Sequence, residues 1–277
     1  MSDEKSLKYN EPWILQRADP YVYRHTDGSY YFTASVPAYD GIVLRRAGSL
    51  AELSGAEEVM VWKKHESGPM SYHIWAPEIH YLFGKWYIYF AGGEAEDIWK
   101  IRPYVLECSG DDPLTDEWVE LGKMKRAAED KFSFEAFSLD ATVFENKGEY
   151  YYVWAEKVGV GKMISNLYIA KMESGNQLKT VQVLLPTPDY DWERKGFWVN
   201  EGPAVIHHDG KMFLTYSASE TGVDYCVGML SIDEDADILD PRLWKKERYP
   251  VLKTCEKLGI YGPGHNSFTM DEDGNDV

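Results

Sequence analysis

Apolar and aromatic residues recur along the chain in paired short runs, each pair divided by a polar turn that contains glycine. DPYVYRHTDGSYYFTAS (19–35), APEIHYLFGKWYIYFAGG (76–93), DATVFENKGEYYYVWAE (140–156) and GPAVIHHDGKMFLTYSAS (202–219) share this form, and HNSFTMDEDGNDV (265–277) begins a fifth copy. Runs rich in aromatic and β-branched residues, joined across a glycine turn, predict β-hairpins. The turn glycines are Gly28, Gly84, Gly148, Gly210 and Gly274, at intervals of 56, 64, 62 and 64 residues. Between the hairpins lie GIVLRRA (41–47), RPYVLECS (102–109), SNLYIAKM (165–172) and YCVGMLSI (225–232), so each repeat has room for four strands. Antiparallel strands repeating at such a period point to propeller blades. The expected fold is therefore all-β: a single five-bladed β-propeller over residues 1–277, with a polar tail at 1–10. Its last blade is expected to be incomplete at the C-terminus unless Trp13–Leu15 adds a strand to close the ring. An open β-sandwich with similar hairpins is the alternative.

Composition supports sheet, since 20 tyrosines and 10 tryptophans suit a pleated, half-buried surface. Charge narrows the partners. With 46 acidic against 29 basic residues the net charge is −17, which repels phosphate backbones and anionic lipid but not a neutral substrate. Neither nucleic acid nor a membrane is an expected partner, and oligomeric state is not legible. The N-terminus, MSDEKSLKYN, has no apolar stretch, and no run of about 18 apolar residues exists, so the sequence reads as cytoplasmic. Cys108, Cys226 and Cys255 are widely spaced and fit neither a disulfide framework nor a CxxC metal site, which predicts reduced thiols. No glycine-rich phosphate loop joins a strand to a helix, so no cofactor is expected to be required.

The candidate chemistry lies at the strand starts. Counting back eight or nine residues from each turn glycine gives Asp19, Trp75, Asp140, Glu201 and His265. The innermost strand of a propeller blade lines the central channel, so equivalent starts converge on one axis. Three carboxylates meeting there suit glycoside hydrolysis, in which one carboxyl protonates the leaving oxygen and another activates water. Trp75 offers a flat apolar face to the C–H side of a sugar. Phe137, Trp198 and Asn200 flank the acids and are candidate substrate contacts. His265 reads equally as a satisfied core histidine or as a metal-supporting one, since no other His or Cys stands at ligand spacing. Glu78 reads as a structural partner for backbone groups.

ADPYV around Asp19, WAPEIH around Trp75, SLDATVF around Asp140, VNEGPAV around Glu201 and GPGHNSF around His265, taken in that order and spacing, resemble glycoside hydrolase family 43. The resemblance implies an inverting hydrolase on a five-bladed propeller. It makes Asp19 the general base, Glu201 the general acid, and Asp140 the group that tunes and orients the acid. It also implies that His265 supports a calcium ion or a water cluster near the channel axis. The runs IWAPEIHYLFGKWYIYFAGG and NEGPAVIHHDGKMFLTYSAS most resemble α-L-arabinofuranosidases, which remove terminal arabinose from arabinan or arabino-oligosaccharides. β-Xylosidase or endo-arabinanase activity is the alternative within the family, and a non-catalytic carbohydrate-binding propeller a more distant one.

Overall fold

The repeated runs form the strands they predict. In the computed structural model, which describes residues 12–160 and 162–277, the strands assemble into four antiparallel sheets arranged as the blades of a propeller. Blade 1 contains β1 (Ala18–Arg24), β2 (Tyr30–Ser35), β3 (Gly41–Ala47) and β4 (Val59–Lys63). Blade 2 contains β5 (Tyr72–Leu82), β6 (Lys85–Glu94), β7 (Asp97–Cys108) and β8 (Val119–Lys123). Blade 3 contains β9 (Ser138–Asn146), β10 (Glu149–Val160) and β11 (Lys162–Ser174), with short β12 (Gln177–Leu178) and β13 (Val183–Leu184) both pairing with β11. Blade 4 contains β14 (Asn200–His208), β15 (Lys211–Ala218), β16 (Cys226–Asp233) and β17 (Lys245–Lys246). The first strand of each blade lies innermost, where β5 packs on β1, β9 on β5, and β14 on β9.

Four blades, not five, are formed among the described residues, which corrects the expected architecture. The fifth repeat has thirteen residues, 265–277, against the roughly fifty that each formed blade uses. It contributes an extended segment and one hairpin, closed by Thr269 N–H to Val277 O (3.0 Å) and Asp271 N–H to Asn275 O (2.8 Å). This piece bridges blades 4 and 1. His265 N–H donates to Ser217 Oγ (2.6 Å) on one side. On the other, Tyr30 Oη–H donates to Met270 O (2.9 Å) and Arg24 to Asp271 O (2.9 Å). Trp13–Leu15 forms no strand, so the ring is not closed in that way. The polar tail expected at 1–10 lies outside the described residues.

The near-continuous apolar runs follow from blades that are buried on both faces. Along β10, Tyr152 and Trp154 face blade 2, while Val153 and Ala155 face blade 4. Along β6, Trp86, Ile88 and Phe90 face blade 1, and Tyr87 and Tyr89 face blade 3. Period-two alternation therefore separates one core from the next rather than core from solvent. Trp62, Trp118 and Trp244 pack in outer positions, as the sequence suggests, with each indole N–H bonded to protein.

Blades 2, 3 and 4 join their first two strands by two-residue turns in which both residues are left-handed: Phe83–Gly84, Lys147–Gly148 and Asp209–Gly210. This is the type I′ geometry that matches strand twist. Lys147 holds φ 53° at a backbone cost that asparagine largely avoids, and its 3.3 Å ion pair with exposed Asp235 offsets little of that. Lys147→Asn is expected to raise stability by about 0.5–1 kcal/mol, and Gly148→Ala to lower it by about 1 kcal/mol. Urea denaturation checks both, as shifts of the midpoint at unchanged slope. A lower midpoint for Lys147→Asn would show that side-chain contacts outweigh the turn geometry.

Candidate active site

Each innermost strand is bent at the same place. One residue there has a left-handed backbone: Asp19 (φ 54°), Ala76 (46°), Asp140 (50°), Gly202 (53°) and, in the fifth repeat, His265 (47°). Strand register slips at the first four, between Ala18 and Tyr21, Trp75 and Glu78, Leu139 and Thr142, and Glu201 and Ala204. These are β-bulges, which re-aim side chains out of the pleat and end pairing locally. Pro20, Pro77 and Pro203 follow three of them, at positions where a missing N–H costs the ladder nothing.

The bulges correct the counted ring. Its conformational equivalents are Asp19, Ala76, Asp140, Gly202 and His265, and Trp75 and Glu201 each stand one residue earlier. Eight residues separate bulge from glycine where the turn has two residues, but nine do in the first and fifth repeats. Glycine at the fourth bulge avoids both the left-handed strain and a Cβ that would lie 3.1 Å from His265 Cγ. Despite the offset, all three acids, Trp75, Phe137 and His265 line one cavity of about 390 Å³.

Contacts differentiate the carboxylates. Asp19 Oδ2 accepts Ser35 Oγ–H (2.6 Å), and its Oδ1 lies 3.1 Å from His265 Nδ1. Ser35 Oγ in turn accepts Ala76 N–H (2.8 Å), which ties the first bulge to the second. Asp140 Oδ2 accepts Gly202 N–H (3.1 Å) and lies 3.8 Å from His265 Nδ1. Glu201 Oε1 accepts Tyr225 Oη–H (2.9 Å). Burial pushes the Asp140 carboxyl well above its ordinary range, reinforced by Glu201 and Asp19 against the opposing His265. Burial also raises Glu201, while Tyr225, His265 and Lys157 pull against that shift. Burial alone would lower His265, but Asp19, Asp140, Glu201 and Glu78 together carry it up to about 9. The surrounding carboxylates thus favour its protonated form.

That preference bears on the expected metal. Calcium takes six to eight oxygen ligands, and no cluster of three or more His, Cys, Asp or Glu side chains among the described residues could hold a metal ion. A protonated imidazole has no lone pair to give. The described residues around His265 form no all-protein cage for calcium, so the expected ion there would be held through water. The imidazole itself faces the Asp19 and Asp140 carboxylates.

Two expected substrate contacts face elsewhere. Asn200 is fully buried and gives its amide hydrogens to Glu193 Oε1 and Val199 O, both at 3.0 Å. Trp198 lies under the Arg194 guanidinium, 4.5 Å from its ring centre, and lines a smaller neighbouring cavity. Period-two alternation explains Asn200, because a residue next to an inward-facing acid in a strand points away from it. Trp198 instead precedes β14, in a segment whose Phe197 and Val199 line the cavity. Glu78 also differs from expectation, bonding the His80 ring (2.9 Å) rather than backbone. The cavity adds Tyr39, Trp99, Lys157, Phe197, Glu220 and Tyr225, which the sequence reading missed. Lys157 and Tyr225 begin or end apolar runs and read there as ordinary strand residues.

Residues 9–277 match the profile of Glycosyl hydrolases family 43. An extracellular exo-α-(1→5)-L-arabinofuranosidase of Streptomyces avermitilis is 49% identical over 269 residues, covering 97% of this chain and 55% of that protein. A protein of the same name from Streptomyces chartreusis is 47% identical, over 96% of this chain and 79% of its own length. The chain thus spans about half the length of the first of these relatives. The crystal structure of α-L-arabinofuranosidase from Lactobacillus brevis superposes with a TM-score of 0.88 at 51% identity, covering 96% of this chain and 83% of that one. Both Streptomyces relatives are named as extracellular, which overturns the cytoplasmic expectation. No helix among the described residues is long and apolar enough to cross a membrane.

The Tyr225 hydrogen bond favours the ionised form of Glu201. Tyr225→Phe is therefore expected to move the Glu201 titration to higher pH, as followed by carbon-13 NMR of labelled glutamate carboxyls. A shift to lower pH, or none, would show that the phenol does not govern this group.

Proposed function

The chain belongs to glycosyl hydrolases family 43, and from that premise we propose that it releases terminal α-L-arabinofuranose from arabinan or arabino-oligosaccharides with inversion. The observation that carries the chemistry is the meeting of three carboxylates from three blades in one cavity, two of them shifted upward. The names of the similar arabinofuranosidases support the choice of sugar.

The roles follow from the contacts. Glu201, raised by burial, keeps its proton to higher pH and donates it to the departing glycosidic oxygen. Asp19 accepts a proton from water, whose oxygen then bonds to the anomeric carbon on the face opposite the leaving group. Ser35 and His265 fix the Asp19 carboxylate in one orientation. Asp140 neighbours the acid and grips the backbone that carries it, through Gly202 N–H. Trp75 meets the apolar face of the sugar. After turnover Asp19 holds the proton and Glu201 has lost one, and exchange with solvent restores both. No step requires a metal or organic cofactor.

Two measurements test this reading. Nitrophenyl α-L-arabinofuranoside should be cleaved in preference to the β-D-xyloside, and proton NMR should show the β-anomer of arabinose first. Cleavage of the xyloside alone would overturn the sugar, and first release of the α-anomer would overturn inversion. Linear arabinan should yield arabinose alone, whereas longer internal fragments would indicate endo action.

The carboxylates should also fail differently. Asp19→Asn should lower activity by about 10²–10⁴-fold on every substrate, because water loses its base. Glu201→Gln should lose as much on natural glycans but less on aryl glycosides, whose phenolate leaves with little help. Asp140→Asn leaves both groups in place but loses the carboxylate that accepts Gly202 N–H beside the acid, so activity should fall on natural and aryl substrates alike. If Asp19→Asn were instead the leaving-group-sensitive variant, the acid and base labels would have to be exchanged.

A further inference from the structure

The rim of the cavity is more aromatic than the chemistry at its floor requires. Trp99, on β7 of blade 2, lines the cavity yet leaves 61% of its surface exposed. Its indole rests on His73, with centroids 5.2 Å apart and planes 32° apart, and His73 rests on Trp75 at 4.1 Å and 34°. Tyr72 braces the His73 ring edge-on at 4.4 Å. His73 has a left-handed backbone (φ 49°), and Trp99 and Trp75 also approach each other directly, with centroids 6.4 Å apart and planes 51° apart. Burial lowers the His73 pKa and so favours its neutral ring. Phe197, in the segment leading into blade 4, lines the same cavity and is also 61% exposed.

An exposed indole clustered with His73 and the sugar-facing Trp75 extends the apolar floor of the cavity towards its mouth. Exposed rings continuous with a catalytic cavity mark a ligand contact, because a lone solvated surface needs none of this support. A glycan's next residue presents the same kind of C–H face as its terminal one. We propose that Trp99, propped on His73, is the stacking platform for the second sugar of the substrate, on the leaving-group side of the scissile bond, with Phe197 contributing further along the same rim. This rests on the terminal-sugar hydrolysis proposed above. It would make the enzyme selective for oligosaccharides over simple glycosides.

The test compares kcat/KM for arabinotriose with that for methyl α-L-arabinofuranoside. In Trp99→Ala the trisaccharide-to-methyl ratio is expected to fall about tenfold, through KM, the scale of one aromatic stacking contact. Trp99→Phe keeps a ring and should recover most of the ratio. In the inactive Glu201→Gln background, arabinotriose should shift tryptophan emission, and loss of Trp99 should abolish most of that signal. An equal fall on both substrates, or an unchanged ratio, would overturn the platform. If the wild-type protein cleaves only xylosides, the sugar proposed above fails. Xylotriose against methyl β-xyloside then tests the platform separately, with the same two outcomes deciding it.

Discussion

Like charges in a confined space are the constraint on which the site depends. Asp19, Asp140 and Glu201 line one cavity from three blades, and the charges of Glu201 and Asp19 make Asp140 harder to ionise. Burial answers part of the problem by disfavouring the charged forms of Asp140 and Glu201. His265 answers the rest. Its ring stands 3.1 Å from Asp19 and 3.8 Å from Asp140, between the two bulged strands that carry them. The fifth repeat therefore matters to the site through one imidazole and the hairpin that positions it, although it builds no sheet.

The walls are held by two other buried carboxylates. Glu156 accepts Phe134 N–H, Ala136 N–H and the Trp154 indole N–H, at 2.9–3.1 Å, and so fixes the segment that delivers Phe137. Glu193, fully buried, accepts from Asp189 N–H, Tyr190 N–H, the Asn200 amide, Tyr216 Oη–H and the Lys246 ammonium. It fixes the segment leading to Phe197 and Glu201. A buried carboxylate with this many donors costs little to keep and much to disturb. Each wall segment precedes an innermost strand, so the loops that shape the cavity are pinned to the same blades that carry the acids.

Much of this was legible in the sequence, for reasons that also mark where legibility ended. Hairpins were readable because each leaves a local signature, and GIVLRRA coincides with β3 from first residue to last. Blade number was not, because five repeats begin but the fifth carries too few residues for a sheet. Asp19, Asp140 and Glu201 could be traced to one cavity because each stands eight or nine residues before its turn glycine. The ring's true register was hidden, since a change of one residue in turn length moves the count without changing the motif. Trp198 and Asn200 were assigned to the cavity by adjacency to Glu201, yet alternation points Asn200 away and Trp198 precedes the strand. Trp99, Lys157 and Tyr225 reach the cavity only through tertiary packing, and nothing local to them announces it.

The bulges connect stability to chemistry. An unbroken strand would turn Asp19 or Asp140 toward a neighbouring blade, into aromatic packing that no carboxylate could occupy cheaply. Holding a non-glycine residue left-handed costs about 1–3 kcal/mol, and four such residues, Asp19, Ala76, Asp140 and His265, stand around this axis. Burying one large side chain returns about 1.5–3 kcal/mol, and the strand beside each bulge in blades 1 to 3 supplies several, among them Tyr30, Tyr89 and Trp154. In blades 1 to 3 the strain at the axis is thus offset by burial one strand further out. The acids can therefore be held at fixed positions by rigid strands, where flexible loops would leave their separation and orientation to fluctuate.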